Sequence, residues 1–383
     1  MINFPCGEDE CTGCGACSAI CVREAIDIIK NDNGFYVPNL NENLCVRCGL
    51  CVKICPIKNG NIEEKNITDV YMAKNKKEDE RVNSASGGLF PVIAKYIIKE
   101  HGVVYAAVTV NGVNVRHFRI DNIKDVSRAI GSKYVQSNTE STFQNVKRDL
   151  FMKKKVLYVG TPCQIYGLKN FLGKENDNLY TIDLVCHGVI SPNIVKAYIK
   201  ELGYDIEKIQ ILWTDKEDGW HTRKFVIKDM KTGTRIFSTL YNSSMLGELY
   251  ANNVCLNNSC YNCKFKSNHS KADITLGDYW GIENIAPQFD DDKGVSLVIN
   301  HTNKGKKIFE EIKDEIIYER TNMEDATKEQ FALTSAAICK ADRNLSFRIL
   351  NEKGICSLYK KSCKNNLAVS LLKKIKSILY EKL

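Results

Sequence analysis

The stretch KVLYVGTPCQIYGLKNFL, residues 155–172, decides the fold. Val156 to Val159 form an apolar, β-rich run. A Gly-Thr-Pro break follows, and then apolar residues recur at helical spacing. The pattern is strand, short loop, amphipathic helix. It repeats at once, with LYTIDLVC (179–186) running into HGVISPNIVKAYIKEL (187–202). Two such units in succession are the grammar of a parallel sheet. In each unit a cysteine stands just past the strand, Cys163 in one and Cys186 in the other. Open α/β sheets bind ligands outside the carboxyl ends of their strands, so the two cysteines are predicted to share one crevice. Cys163 also stands at a helix start, where unpaired N–H groups and the dipole lower a thiol's pKa. That setting suits either a nucleophile or a metal ligand.

The chain has 17 cysteines in 383 residues, and most follow a ligand pattern. Cys11, Cys14, Cys17 and Cys21 form C-x2-C-x2-C-x3-C; Cys45, Cys48, Cys51 and Cys55 repeat it, with Pro56 after the last. A cubane cluster needs four converging thiolates, and in two-cluster ferredoxins the fourth cysteine of each run serves the other cluster. The predicted sets are Cys11, Cys14, Cys17 and Cys55 for one [4Fe–4S] cluster, and Cys45, Cys48, Cys51 and Cys21 for the second. Gly13, Gly15, Ala16 and Gly49 let the backbone approach the inorganic core. Val22 replaces the proline that usually follows the fourth cysteine. Zinc is the competing metal, but it favours two separated CxxC knuckles over a doubled four-cysteine run. Between the runs, AIDIIKNDNGFYVPNL (25–40) reads as two short strands around an Asn-Gly turn.

Residues 1–60 are therefore expected to be a two-cluster domain, and 61–83 a linker with a first strand. SASGG (84–88) opens a helical run, an arrangement that serves either as an anion site or as a plain N-terminal cap. VVYAAVTVNGVNVRHFRI (103–120) reads as a hairpin around Asn111-Gly112. Cys260-x2-Cys263 supplies a second thiol pair, with Cys255 close by. Together with Cys163 and Cys186 the pair makes four thiolates, the complement of a third [4Fe–4S] cluster or of a zinc ion. Cys6, Cys339, Cys356 and Cys363 lack ligand spacing and read as ordinary thiols.

The net charge of +8 is uneven. Residues 1–60 carry 5 Lys/Arg against 7 Asp/Glu, whereas 360–383 carry 7 Lys against one Glu. The excess lies in the tail, where SLLKKIKSIL (370–379) has the spacing of a basic amphipathic helix. A docked terminal helix is the expected reading of that tail rather than membrane contact, and nothing points to nucleic acid. No secretory signal or membrane-length apolar run is visible, so a reducing, cytoplasmic setting is expected, where clustered cysteines bind metal.

Several stretches together resemble the family of coenzyme F420 hydrogenase/dehydrogenase beta subunits. They are SASGG, GSKYVQS (131–137), GTPCQ, DLVCHGV, CYNCKFK with ADITLGDYWG, and DDKGVSLVINHT, spanning residues 84–302 in order. The resemblance implies an α/β flavoprotein domain (mixed sheet with βαβ units) preceded by a small α+β ferredoxin-like two-cluster domain. It places the FAD- and cluster-binding domain at 84–310 and a helical C-terminal region with a basic tail at 311–383. It implies FAD contacts at Ser86, Gly87, Gly88, Ser132, Lys133, Tyr134, Gly160 and Thr161, and cluster ligands at Cys163, Cys186, Cys260 and Cys263, with Cys255 as an alternative. Lys133 suits a pyrophosphate or the reduced flavin, and Asp278 either binds a ribityl hydroxyl or caps a turn.

The function these readings imply is an iron–sulfur flavoprotein oxidoreductase. Electrons would pass between the clusters and FAD, with hydride exchanged with a small-molecule acceptor or donor, coenzyme F420 or another. The other function class is an electron-transfer subunit of a larger redox complex with no substrate of its own. Either requires a redox partner protein. His187 is a candidate proton relay or a support for the cluster, and Lys133 a candidate catalytic residue. In DGWHTRKF (218–225), Trp220 offers stacking, and His221, Arg223 and Lys224 offer charge to an anionic substrate; an exposed charged hairpin is the other reading.

Overall fold

The computed structural model describes residues 6–60 and 69–363. The predicted basic tail helix lies outside them. The body is built on a nine-stranded mixed sheet. From edge to edge its strands are Ile316–Thr321, Asp69–Asn75, Ser296–Asn300, Ile274–Asp278, Leu179–Leu184, Val156–Gly160, Val103–Asn111, Asn114–Ile120 and Ser137–Asn138. The four in the middle, from Ile274–Asp278 to Val103–Asn111, are mutually parallel. Antiparallel pairings flank them on both sides. Strand 156–160 is buried at every position, as expected of a parallel strand covered on both faces.

The opening stretch folds as its pattern requires. Strand Val156–Gly160 runs into helix Pro162–Leu172, which crosses over to the parallel strand Leu179–Leu184. The helix starts with a capping box: Thr161 and Gln164 satisfy each other's backbone N–H groups. The second unit delivers helix Pro192–Glu201, capped by Ser191. The hairpin around Asn111-Gly112 forms, with Asn111 opposite Asn114.

Two differences from the sequence reading follow from long-range pairing. The strand expected in the linker, Asp69–Asn75, lies inside the main sheet between the strands at 296–300 and 316–321. The region after residue 310 is not purely helical, because Ile316–Thr321 closes the sheet's edge. Only its first residue, Ile316, is buried, which suits an edge strand, and six residues are too few to read alone.

Between strands 179–184 and 274–278 the chain makes a long excursion. It contains a three-stranded antiparallel sheet of Ile209–Asp215, Lys224–Asp229 and Arg235–Leu240, whose apolar core around Trp213, Phe225 and Leu249 is shared with Phe35, Val115 and Leu350.

The cysteine-rich segment packs on this body through side chains that reach its backbone. Gln136 donates to Thr12 O (2.8 Å) and accepts from Tyr36 N (2.6 Å); Thr139 donates to Cys14 O (3.0 Å). A Cβ on Gly13 would sit 2.1 Å from Gln136 Nε2, and one on Gly15 2.3 Å from Thr139 Oγ1. These glycines therefore admit the larger domain, a reason beyond approach to a metal core. Gly49, in the second run, faces open space.

Candidate functional site

The carboxyl ends of strands 156–160, 179–184 and 274–278 open into one cavity of about 460 Å³. That size is ordinary for a small-molecule site. Cys163, Cys186, Cys260 and Cys263 all stand on its wall. Cys163 is the second residue of its helix, 3.1 Å from Thr161 Oγ1. Cys186 follows its strand, and Cys260 sits on the short helix Asn258–Tyr261. Cys255 is not on this wall; it is buried beside Cys339 and Arg343.

Burial overrides the helix start at Cys163, which was expected to lower its pKa. The thiol is pushed well above the ordinary value, Cys260 is pushed up to about 12, and Cys186 is also raised. Burial thus favours the neutral form of these three thiols, which disfavours a free nucleophile here. Among the described residues, no three cysteine sulfurs lie within 4.8 Å of one another.

The two four-cysteine runs interleave. Cys55 lies near Cys14 and Cys17, and Cys51 near both Cys48 and Cys21. The first group is sunk in the protein, with Cys11, Cys14 and Cys55 buried; in the second, Cys48 is exposed. An apolar bridge joins the first group to the cavity. Cys11, Cys55, Ile57, Tyr166 and Phe265 form one cluster against which Cys163 and Cys263 pack. The Tyr166 and Phe265 rings meet edge to face, 4.9 Å between centroids.

Other expected contacts are distributed differently. Gly160, Thr161, Ser132, Lys133, Tyr134, Ser86 and Asp278 line the cavity; Gly87 and Gly88 do not. Gly87 N donates to Ser296 Oγ (2.9 Å) and Gly88 N to Ala85 O (3.1 Å), so these groups hold the loop rather than face the cavity. Ser86 Oγ donates to Val295 O (2.7 Å). The Lys133 ammonium, expected on a phosphate, reaches the carbonyls of Ala129, Ile130 and Gly131 at 2.9–3.0 Å. Burial lowers its pKa to about 7, against which the three carbonyls match the three N–H bonds of the ammonium and hold it as the cap of that turn.

His187 Nε2 lies 2.6 Å from Asn253 Oδ1, while Asn253 Nδ2 donates to Ile338 O. The amide is thereby oriented, and His187 carries its proton on Nε2. Burial lowers its pKa, leaving a neutral ring beside Cys186. Trp220 is a core residue, stacked on Trp280 at 4.8 Å. His221 pairs with Asp290 and Lys224 with Asp218, so both belong to a charged surface hairpin. Of that group only Arg223 reaches the cavity. Its guanidinium lies 4.4 Å over the Trp280 ring, and its Nε has no hydrogen-bond partner. Tyr241 beside it, 5% exposed, presents an unpartnered hydroxyl. Sequence reasoning missed Tyr241, Tyr250 and Lys266. Lys266 had a signal, since it lies three residues after Cys263; its ammonium reaches the Cys186 carbonyl.

Asp183 ends its strand at the cavity, 1% exposed and hydrogen-bonded by Ser270 and Thr275. Burial raises its pKa to about 6. The unfolded carboxyl titrates near 3.9, so between about pH 6 and pH 4 the folded chain holds a proton that the unfolded chain has lost. This contribution is fully present below the unfolded pKa and is lost as pH rises through 6. Lowering the pH from 7.5 to 5 should therefore stabilise the native protein by about 1 kcal/mol relative to Asp183→Asn. Denaturation at the two pH values checks it; an unchanged gap refutes it.

Fold and site define a class, an iron–sulfur electron-transfer protein on a mixed α/β body. Residues 153–326 match the family described as the C terminus of the coenzyme F420 hydrogenase/dehydrogenase beta subunit, and residues 10–59 match the 4Fe-4S dicluster domain. The chain is similar to that family of beta subunits, with a dicluster module ahead of the matched domain. The F subunit of the F(420)H(2) dehydrogenase of Methanosarcina mazei is 26% identical over 332 residues, 80% of this chain and 84% of the relative. The coenzyme F420-dependent sulfite reductase of Methanocaldococcus jannaschii is 25% identical over 227 residues. That match covers 52% of this chain and 34% of the relative, about a third of the reductase's length. A structure of the F420-reducing [NiFe] hydrogenase complex from Methanosarcina barkeri aligns over 79% of this chain and 94% of that one. Its TM-score is 0.47, with 17% identity. No helix among the described residues is long and apolar enough to cross a membrane.

Proposed function

We propose that the chain relays electrons from a protein partner through three [4Fe–4S] clusters to FAD in the cavity, and onward to an organic acceptor or back. The observation that carries this reading is the apolar bridge of Tyr166 and Phe265 between the buried dicluster cysteines and Cys163 and Cys263. Cys21, Cys45, Cys48 and Cys51 would hold the outer cluster, and Cys11, Cys14, Cys17 and Cys55 the inner one. Cys163, Cys186, Cys260 and Cys263 would hold the third. Bound FAD supplies the conversion between single electrons and hydride.

The outermost site suits a partner protein. Val22, Leu44, Val46 and Leu50, all next to or within the cysteine runs of the exposed site, are solvent-exposed, Val22 by 83% and Val46 by 61%. In the cavity, Tyr134 and Tyr250, stacked at 5.0 Å, offer an aromatic wall. Ser132 and Thr161 offer hydroxyls to the cofactor. Arg223 and Tyr241 are donors without acceptors, suited to an oxyanion on the organic acceptor. Coenzyme F420, which relatives carry in their names, is one such acceptor to test.

Anaerobic reconstitution with iron, sulfide and FAD should yield about twelve irons and one FAD per chain. Zinc without flavin would overturn the proposal. Arg223→Gln should cut kcat/KM for the organic acceptor by about 10²-fold, the scale of a lost oxyanion donor. Stoichiometric reduction of the clusters and FAD by a reduced viologen, with no organic acceptor present, should be unaffected. The second reading is a subunit without its own substrate, favoured by the exposed apolar rim. Reduction of coenzyme F420 by the isolated chain would exclude it.

A further inference from the structure

We propose that Cys6 is a reserve ligand of the inner cluster, able to take over the iron of Cys11 or Cys55. This rests on the reading that Cys11, Cys14, Cys17 and Cys55 hold that cluster. Five thiols, not four, line the small cavity between the two runs, and the fifth is Cys6. Its ligand-like position is invisible in the spacing, because Cys6 lies outside both motifs. The chain turns back immediately after it: the N–H groups of Glu10 and Cys11 both donate to Gly7 O at 3.1 Å. That turn returns Cys6 onto Cys11. Cys6 packs in one buried cluster with Cys11 and Cys55, the two ends of the motif set, and shares the cavity wall with both. Cys6 is 7% exposed, walled by Ile57, Tyr166 and Phe265.

With all four ligands in place, Cys6 stands at the wall of the cluster's cavity, where an S–H would donate to a ligand sulfur, an interaction that raises a cluster's potential. When Cys11 or Cys55 is lost, the sulfur of Cys6 bonds to the iron and its proton passes to solvent. No electron changes hands. The position thus guards the cluster that stands between the exposed site and the cavity.

The test uses the full chain, reconstituted anaerobically. Cys11→Ser and Cys55→Ser should each retain the wild-type iron content of about twelve. Adding Cys6→Ser to either should remove about four irons. Loss of a cluster from both single variants, with Cys6 present, would overturn the proposal, as would double variants that keep all their iron. Cys6→Ala alone should keep full iron but shift the potential of one dicluster signal downward. If the double variants do not fold, that potential decides, and an unmoved value overturns the proposal. A wild-type chain that takes up no iron would refute the cluster reading instead.

Discussion

Cys163→Ser is expected to lose about four of about twelve irons while the dicluster spectrum survives. The residue sits on the cavity wall with Cys186, Cys260 and Cys263, and burial keeps its thiol protonated without a cation. A serine hydroxyl is far harder to deprotonate in the same place, so the iron loses its fourth strong ligand. The helix itself should persist. Its capping box runs through Thr161 and Gln164, and Gln164 is further held by donating to Ser137 Oγ at 2.9 Å. The inner dicluster site lies across the Tyr166–Phe265 bridge and does not use Cys163. Iron and sulfide analysis with low-temperature EPR separates the outcomes. Unchanged iron would remove Cys163 from the ligand set.

Trp220→Ala should cost about 3–5 kcal/mol of stability, the scale of removing a large buried aromatic. Trp220 is 2% exposed and stacks on Trp280 with an interplanar angle of 9°. It belongs to the core that includes Tyr279, Phe289 and Val295. Its backbone N donates to Asp292 O at 2.7 Å and its indole N–H to Asp278 at 3.3 Å. Trp220→Phe should recover most of the packing and lose about 1–2 kcal/mol, because buried Asp278 forfeits a donor. Denaturant titration of both variants checks this. A loss below about 1 kcal/mol for the alanine variant would mean that the ring is not a core element.

The same tryptophan shows where reading a sequence runs short. DGWHTRKF offers four residues suited to an anionic aromatic ligand, but the chain spends three elsewhere. Trp220 fills a core, and His221 and Lys224 pair with Asp290 and Asp218. Arg223 alone turns into the cavity, where it meets Tyr241, a residue with no motif to mark it. Lys133 and SASGG teach a similar lesson. Donors that look free along the chain are taken by Ala129, Ile130, Gly131 and Ser296.

The sequence by itself determined the cysteine spacing, the βαβ units and the hairpins at 25–40 and 103–120. Ligand spacing, hydrophobic period and turn chemistry are local quantities, written within a few residues of one another. Tertiary structure alone decided which polar groups are already satisfied and which sulfurs are neighbours. Gln136 clasps Thr12 across 124 residues, Ser86 reaches Val295 across 209, and Cys163 and Cys263 meet at one wall. Such pairings depend on how strands order themselves in the sheet, and no local period encodes that order.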